Sequence, residues 1–370
     1  MITYDYLVVG SGFYGAVIAE RIKASGRSVL VLEKRDHIGG NCYSYEYEGH
    51  DITVHKYGTH IFHTSNKTVW DYITGFGEFN RYQHRVLTTF RNRVYSMPIN
   101  LGTINSFYNV NLNPTEVEAF IAGKRENYLN PGNLEEKAIS LIGRDLYEAF
   151  IKGYTAKQWA CDPTMLPADI ITRLPVRKSY NDCYFDDVYQ GNPINGYTDL
   201  FLNMLKDIPI ERNADFLADR EYWRKRCKRI IYTGPIDRYF DFIHGELAWR
   251  SVRFEVELVD VDDYQGTSVM NYADQEVPYT RIHEPRHLHP EKKFQSTSTV
   301  IVREYSIKDA DEPFYPVNSA RDKEIYQKYL RECANEDYIF FGGRLAEYRY
   351  YDMHNVIEKA LIDCERILAI

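Results

Sequence analysis

The chain has 370 residues, of which 44% are hydrophobic and 26% charged, and its formal net charge is −8 at pH 7. This length exceeds what one compact core usually serves, so we expect two or three lobes with a large buried interior. The acidic balance argues against a general nucleic-acid or anionic-membrane surface, and an anionic ligand would instead require a few well-placed arginines.

Two further patterns narrow the class of protein. The six cysteines are scattered, with no CxxC pair and no histidine spaced to share a metal, so neither a zinc site nor a disulfide framework is expected. The N-terminal segment does not have the pattern of a signal peptide, and no apolar run approaches the ~18 residues of a membrane span. These patterns predict a cytoplasmic protein without membrane insertion.

The N-terminal segment predicts a βαβ unit around a glycine-rich turn. Residues 6–9 and 28–32 have the short apolar pattern of buried parallel strands, and residues 16–25 that of a helix. The turn at residues 10–15 reads GSGFYG, which is GxGxxG in the strand–turn–helix context that makes this motif credible. Its glycines would let the backbone approach a pyrophosphate, and Glu33, roughly 20 residues further on, would bind a ribose hydroxyl. We therefore predict a dinucleotide site rather than an unliganded turn.

A pair of adjacent glycines follows this βαβ unit. Residues 36–41 read DHIGGN, and the two glycines would let another backbone segment come near the cofactor. NAD-binding Rossmann units do not need this extension, so it favours FAD. The backbone chemistry alone also fits a plain turn.

Three histidines, His55, His60 and His63, lie in one run of nine residues. A metal site would need further ligands at a suitable spacing, such as HExxH, and none is present nearby. A loop with one or two exposed histidines fits the pattern better than a metal site. A third interpretation is a polar lining beside a flavin ring, with His60 or His63 tuning its charge.

The middle of the chain predicts a helical lobe. The pair Asn113 and Pro114 is typical of a helix start, with Asn at the cap and Pro in the first turn. A capping-box pattern at residues 133–136 opens a helical stretch that continues through Lys152. The helical lobe would cover roughly residues 98–170.

The remainder of the chain changes to a strand pattern. Residues 250–315 include SVRFEVELV and STVIVREYS, which predict the strands of a second, antiparallel sheet. Residues 355–368 predict a final amphipathic helix. The three parts are thus a nucleotide-binding sheet, a helical insert and an antiparallel sheet.

Two groups of residues could hold a base or a diphosphate. Tyr154 and Trp159, in FIKGYTAKQW, could stack on a base, although a hydrophobic cluster at a helix end explains them more simply. Arg173, in a proline-bracketed segment, and Arg281, in strand-like sequence, could clamp a diphosphate through bidentate hydrogen bonds. For either arginine alone, a surface position is the simpler interpretation.

Eight stretches of the sequence together resemble the prokaryotic UDP-galactopyranose mutases. They run from residue 10 to residue 354, and the most specific are KGYTAKQW and FGGRLAEYRYYDMH. The others are GSGFYGA, EKRDHIGGN, HKYGTHIFHT, RIIYTGPID, VPYTRI and EPFYPVN.

The resemblance implies a particular chemistry. The family interconverts the pyranose and furanose forms of UDP-galactose with reduced FAD, whose N5 acts as the nucleophile on the anomeric carbon. This cofactor chemistry would explain why the sequence offers no protein nucleophile paired with a base. The resemblance further implies a role in cell-surface galactofuranose biosynthesis, a homodimer, and an external reductant such as NAD(P)H or a reductase.

The resemblance also implies roles for particular residues. Those matching the catalytic group are Arg173, Arg281, His60 and His63. Those matching FAD contacts are Gly10, Ser11, Gly12, Gly15, Glu33, Lys34, Gly40, Asn41, His60, Arg344, Asp352 and Met353. Those matching substrate contacts are Phe150, Tyr154, Trp159, Arg173, Tyr184, Asn271, Arg281, Tyr315 and Tyr350. No metal ligand is implied.

The implied fold class is α/β, with a Rossmann-type FAD-binding domain, a helical-bundle lobe and an antiparallel β-sheet lobe. The FAD-binding domain would be discontinuous, at residues 1–80, 190–240 and 316–370. The helical lobe would be residues 98–170. The sheet lobe would be residues 81–97, 171–189 and 241–315, with a mobile substrate loop near residues 165–177.

Thr59 and His84 depart from the pattern of the family's enterobacterial members, in which Ala and Asn are expected. Both should lie near the sugar pocket, so the preferred substrate could instead be UDP-N-acetylgalactosamine or a related sugar. Three other classes compete with a mutase: an FAD oxidoreductase of the amine-oxidase type, a non-catalytic nucleotide-sugar binding protein, and an NAD-dependent dehydrogenase. An oxidoreductase would consume an electron acceptor steadily, and a binding protein would leave the predicted FAD cradle unexplained.

Overall fold

The computed structural model describes residues 3–173, 176–307 and 312–369, with the backbone alone at residues 169, 172 and 173. Its first sheet is parallel and contains the predicted βαβ unit. The strands, in spatial order, are Ile339–Phe341, Cys227–Tyr232, Tyr4–Val9, Val29–Glu33 and Ile210–Arg212. Every residue of Val29–Glu33 is buried, as expected of a central strand covered on both faces.

The helix that follows the glycine turn is Phe13–Ala24, so it begins three residues earlier than the predicted residues 16–25. It is apolar around most of its circumference because it lies between the parallel sheet and the C-terminal helix Met353–Leu368. Ile18 and Ile22 are fully buried there, and such side chains each contribute about 1.5–3 kcal/mol of burial free energy. The two ends of the chain therefore share one core.

The second sheet has seven strands. In spatial order they are Tyr315–Pro316, Trp249–Val259, Thr299–Ile307, Arg281–His283, Val269–Tyr272, Val86–Phe90 and Arg93–Met97. Its pairs are antiparallel, as predicted, except that Val269–Tyr272 pairs with Val86–Phe90 in parallel. These two strands come from distant parts of the chain, so no tight hairpin forces them to run antiparallel.

The helical lobe is broken where the sequence predicts one continuous helix through Lys152. The helix Leu134–Ile142 ends at Gly143, whose φ of +80° is a left-handed conformation that interrupts the helix. A Cβ atom at Gly143 would lie 2.6 Å from the carbonyl oxygen of Lys124, so only glycine fits. The chain then forms three further helical segments, Arg144–Leu146, the π-helix Tyr147–Lys152, and Gly153–Trp159.

Two predicted helix starts are also displaced. Asn113 does accept hydrogen bonds from Thr115 and Glu116, but these close a turn, and the helix is Glu116–Ala122. Pro114 therefore precedes the helix and does not lie in its first turn. The final helix begins at Met353 and not at residue 355, because Asp352 caps it.

The remaining elements connect these layers. Two small antiparallel pairs join Ser44–Tyr47 to Ile52–His55, and Phe62–Thr64 to Tyr189–Gly191. The other α-helices are Lys67–Thr74, Leu101–Tyr108, Gly196–Met204, Arg220–Arg224, Ile236–Tyr239 and Ala320–Cys333, and the 3-10 turns are Gly40–Cys42, Pro163–Met165, Ala168–Arg173, Phe216–Ala218 and Pro285–Leu288. Within the described ranges, no helix is both long enough and apolar enough to span a membrane.

Candidate active site

A single cavity of about 1040 Å³ extends from the glycine turn of the parallel sheet to the helical lobe and the seven-stranded sheet. The structure brings every predicted site residue whose side chain it describes to this cavity. Those lining it are Gly10, Ser11, Gly12, Gly15, Glu33, Lys34, Gly40, Asn41, His60, His63, Phe150, Tyr154, Trp159, Tyr184, Asn271, Arg281, Tyr315, Arg344, Tyr350, Asp352 and Met353. Arg173 ends the 3-10 turn Ala168–Arg173, and its side chain lies outside the described residues.

The glycine turn has no room for side chains. Gly10 has a φ of +100°, and a Cβ atom there would lie 2.2 Å from Thr233 Oγ1. A Cβ atom at Gly15 would lie 2.0 Å from the carbonyl oxygen of Gly10. No side chain caps the N-terminus of the following helix, Phe13–Ala24. The positive end of the helix dipole therefore faces the cavity directly. This arrangement suits a bound pyrophosphate.

Glu33, the predicted ribose ligand, stands at the end of its strand and holds the turn in place. One carboxylate oxygen accepts hydrogen bonds from the backbone N–H of Ser11 at 3.0 Å and from its hydroxyl at 2.5 Å. The other accepts from the backbone N–H of Arg35 at 3.0 Å. Asn41 in turn accepts from the Arg35 guanidinium at 3.0 Å, while Lys34 forms an exposed ion pair with Asp215.

The three histidines are held by protein groups. His63 Nδ1 donates to Asp187 at 2.6 Å, and its ring stacks on Phe185 with centroids 3.6 Å apart. His60 Nδ1 donates to the carbonyl of Gly58 at 2.7 Å, and its backbone N–H donates to His55 Nδ1 at 3.0 Å. Burial lowers the pKa of His60 to about 4, so its imidazole is neutral at pH 7. Of the three interpretations, this geometry favours a polar cavity lining.

The predicted diphosphate residue Arg281 lies at the first position of its strand, inside the cavity. Its Nη2 donates to the hydroxyl of Tyr154, and its Nε lies 3.4 Å from Glu304 Oε1 without hydrogen-bond geometry. Burial alone would lower the pKa of Arg281, but the Glu304 carboxylate and the neighbouring tyrosine hydroxyls together outweigh burial and raise that pKa. Nε therefore remains a buried donor that a ligand anion could satisfy. The simpler interpretation of Arg281 as a surface arginine is wrong.

Three aromatic residues predicted to contact the substrate border the hydrophobic core of the helical lobe. Phe150 belongs to that core, and Trp159 and Tyr184 pack against it while lining the cavity. Tyr184 also meets the buried His84 edge to face, with centroids 5.3 Å apart. Burial, together with the charge of Arg281, lowers the pKa of His84 to about 3. Packing and ligand contact are thus compatible roles for these side chains.

The C-terminal run GGRLAEYRYYDMH returns to the parallel sheet and closes the cavity there. The guanidinium of Arg344 lies 5.5 Å from the ring centroid of Tyr315 and 5.3 Å from that of Tyr350. Its Nη2 donates to the carbonyl of Tyr351 at 3.2 Å. Asp352 caps the helix Met353–Leu368 that packs on the glycine-turn helix. Arg344 therefore stands between the two ends of the cavity as a partly buried cation with aromatic neighbours.

A profile of the family described as "UDP-galactopyranose mutase" matches residues 149–350, which is more than half of the chain. The chain belongs to the UDP-galactopyranose mutase family. The resemblance drawn from the eight sequence stretches is thereby confirmed, and this family member is an enzyme. A profile of an NAD(P)-binding Rossmann-like domain matches residues 8–76, which confirms the Rossmann part of the predicted fold class.

Curated relatives cover nearly the whole chain. A protein named "Probable UDP-galactopyranose mutase" from Klebsiella pneumoniae is 40% identical over 99% of this chain and 95% of its own length. A dTDP-fucopyranose mutase from Escherichia coli is 39% identical over 98% of this chain and 97% of its own. A UDP-galactopyranose mutase from Mycoplasma genitalium is 30% identical over 99% and 95%.

Solved structures agree on the fold. A structure titled as reduced UDP-galactopyranose mutase superposes with a TM-score of 0.74 at 15% identity, covering 99% of this chain and 96% of the other. A putrescine oxidase variant superposes with a TM-score of 0.57 at 12% identity, covering 100% of both chains. The family thus shares its architecture with at least one oxidase.

Sequence reasoning missed two carboxylates of this family member's site. Glu304 lies in the strand Thr299–Ile307 and is buried against Arg281. The sequence signal that could have found it is the two-residue alternation of a strand, which places Glu304 on the same face as the buried Val302. Asp187 accepts from His63 and also from Ser65 Oγ at 2.6 Å. It lies 124 residues from His63 in a loop, and no local pattern signals such a pairing.

Proposed function

We propose that this enzyme interconverts UDP-galactopyranose and UDP-galactofuranose with reduced FAD as its cofactor. One observation carries the proposal. The same cavity contains both a glycine cradle that suits a dinucleotide pyrophosphate and the partly buried Arg281, whose Nε is a buried donor without a hydrogen-bond partner among the described residues. A cofactor and a nucleotide sugar could therefore meet in the middle, near Arg344 and the neutral His60.

FAD fits the residues present at the first end. Gly10 and Gly15 leave no space for a Cβ atom but allow close backbone approach, and a Cβ atom at Gly40 would lie 3.1 Å from the Cα atom of Gly12. The aromatic-flanked cation Arg344 could bind the flavin or its ribityl chain. Reduced FAD bound there would supply a nucleophilic nitrogen for the anomeric carbon without net redox change.

The protein's own residues would bind and orient the substrate. Arg281 binds the diphosphate, and Tyr154, Tyr315 and Tyr350 provide hydroxyls beside it. Burial raises the pKa of Tyr154 and of Tyr350, so both remain neutral hydrogen-bond donors at pH 7. Holding the diphosphate at a fixed distance from the cofactor supplies proximity, which is worth several kcal/mol of the barrier.

The uridine would occupy the helical-lobe end, against Phe150, Trp159 and Tyr184, with Asn271 nearby. The Oδ1 atom of Asn271 is buried without a protein partner among the described residues, which fits a site that a ligand completes. In this scheme residues 1–80, 190–240 and 316–370 bind FAD, and the other two lobes bind the nucleotide sugar. Arg173 would join Arg281 on the diphosphate.

We further propose the cellular setting that the family resemblance implies. The enzyme would act in the cytoplasm as a homodimer and supply galactofuranose for cell-surface polysaccharides. An external reductant, NAD(P)H or a reductase, would keep its FAD reduced. Gel filtration of the holoenzyme would give the oligomeric state, and anaerobic mixing with NADH or NADPH would give the reductant by loss of flavin absorbance.

The similarity to a dTDP-fucopyranose mutase supports an alternative sugar substrate. The dTDP-fucopyranose mutase is 39% identical to this chain, almost as similar as the relative named for UDP-galactopyranose at 40%. Thr59 and His84, which depart from the family pattern, both line the cavity. The same chemistry on dTDP-fucose or on UDP-N-acetylgalactosamine is therefore the alternative to test.

The decisive experiment is turnover with and without reduction. The purified protein should absorb as a flavoprotein, and after dithionite reduction it should convert UDP-galactofuranose to UDP-galactopyranose, followed by chromatography. No reductant should be consumed per turnover. A yellow protein that converts only dTDP-fucose or the N-acetyl sugar would change the substrate, whereas steady consumption of an electron acceptor would replace the mutase with an oxidoreductase.

A further inference from the structure

The helix Gly153–Trp159 presents one side to the cavity and the other to a loop. Tyr154, Gln158 and Trp159 line the cavity. Gly153 and Lys157 are one turn apart and face the loop of residues 272–280, which connects two strands of the seven-stranded sheet. A Cβ atom at Gly153 would lie 2.3 Å from the carbonyl oxygen of Ala273, so helix and loop touch backbone to backbone.

Lys157 is surrounded by carbonyl groups of this loop. Its Nζ lies 2.7 Å from the carbonyl oxygen of Tyr272, 2.8 Å from that of Asp274, and 3.0 Å from those of Val277 and Tyr279. An ammonium group has three hydrogens, so four acceptors share them and the loop is gathered around one charge. The carboxylates of Asp274 and Glu276 act on Nζ only through charge attraction, and its hydrogen-bond acceptors among the described residues are these four carbonyls.

The two ends of this loop carry proposed substrate ligands. Asn271 and Arg281 stand opposite each other on the paired strands that the loop connects. Arg281 also contacts Tyr154, which lies on the same helix as Lys157. The helix is held at its other end too, because Ser306 and Arg250 both donate to the carbonyl of Gln158. The helix–loop contact therefore sets the distance between Tyr154 and Arg281.

We propose that Lys157 is a positioning residue for the substrate diphosphate: by gathering the carbonyls of residues 272–280 it holds Arg281 and Asn271 against the Tyr154 helix. This inference rests on the proposed function, since it takes Arg281 as the diphosphate ligand. Lys157 does not line the cavity, so it acts on the substrate only through these neighbours.

Lys157→Met tests the proposal, because methionine fills similar space without a donor. The probe is UDP, titrated calorimetrically into the FAD-loaded enzyme. We expect the Kd for UDP and the KM for the nucleotide sugar to rise about tenfold to a hundredfold, the range expected for loss of one hydrogen bond to a charged group. The turnover number at saturation should change little, and FAD content and the flavin spectrum should not change.

Two further variants separate positioning from general stability. Lys152→Met removes an exposed lysine seven residues before the end of the same helical stretch and should leave UDP binding unchanged. Gly153→Ala, which forces helix and loop apart without removing charge, should weaken UDP binding as Lys157→Met does. Because this second route leaves Lys157 in place, it keeps the proposal testable if Lys157→Met fails to fold.

The outcomes are distinguishable from failure of the proposed function. If the unmodified holoenzyme neither binds UDP nor converts the sugar, the proposed function is wrong. If it does both, and Lys157→Met or Gly153→Ala binds UDP as tightly as the unmodified enzyme, the positioning role is overturned. Loss of FAD from Lys157→Met in parallel with UDP affinity would also overturn it, since that result indicates a general structural role.

Discussion

Glu304→Gln should destabilise the enzyme while leaving Arg281 more available to an anion. Glu304 is buried, accepts a hydrogen bond from His283 Nε2 at 3.0 Å and lies 3.4 Å from Arg281. Burial alone would raise its pKa, but the charge of Arg281 and the bonds from His283 and Thr280 lower it to about 2. The substitution keeps the shape of the side chain, removes its charge and replaces one of its two acceptor oxygens with an NH2 donor.

The magnitude follows from that pKa. The value of about 2 lies below the ordinary 4.5, and at about 1.4 kcal/mol per unit this amounts to about 3 kcal/mol for the ionised form. The pKa is depressed in the folded state, so the contribution is complete above pH 4.5 and is lost as the pH falls toward 2. With about 2.1 cal/mol/K of unfolding entropy per residue over this chain length, about 3 kcal/mol corresponds to a Tm lower by about 4 °C.

The assay is thermal unfolding of the FAD-free protein at pH 7, repeated with saturating UDP. We expect Glu304→Gln to lower Tm without UDP and to gain more Tm from UDP than the unmodified enzyme does, because the diphosphate replaces the missing charge. The matched control is Glu257→Gln, which breaks the exposed pair with Arg303 on the same sheet and should leave Tm unchanged. Equal Tm values for Glu304→Gln and Glu257→Gln would refute the reasoning, as would a UDP-induced gain smaller than that of the unmodified enzyme.

Three other perturbations test separate parts of the structure. Gly10→Ala should abolish FAD retention, measured as the ratio of flavin to protein absorbance, because its Cβ atom would lie 2.2 Å from Thr233 Oγ1; Gly26→Ala, where the Cβ atom would meet nothing within 4 Å, should keep its flavin. Asp187→Asn removes the carboxylate that holds His63 Nδ1, and we expect a turnover number about tenfold lower with normal FAD content; unchanged turnover would contradict this orienting role. All six cysteines are free thiols, so dithiothreitol should leave Tm unchanged, and a decrease would indicate an unrecognised disulfide.

The sequence by itself determined the features that depend on local sterics and periodicity. The GxGxxG turn needs a left-handed Gly10 and a close approach at Gly15, and both requirements are written in a few adjacent residues. The buried strand Val29–Glu33 was predicted from its apolar run. The family was predictable as well, because its motifs are short stretches that can be read without knowing what they contact.

Only the tertiary structure decided which distant residues meet. Position 143 of the predicted helix accepts only glycine because the carbonyl of Lys124 lies where a Cβ atom would be, and Lys124 belongs to the turn after another helix, Glu116–Ala122. Strand register places Glu304 opposite Arg281. Helix packing places Lys157 within hydrogen-bond distance of four carbonyls of residues 272–280. The role of a buried charge or hydrogen-bond acceptor depends on the partners that folding brings next to it. The sequence of one segment does not show which distant residue that partner will be.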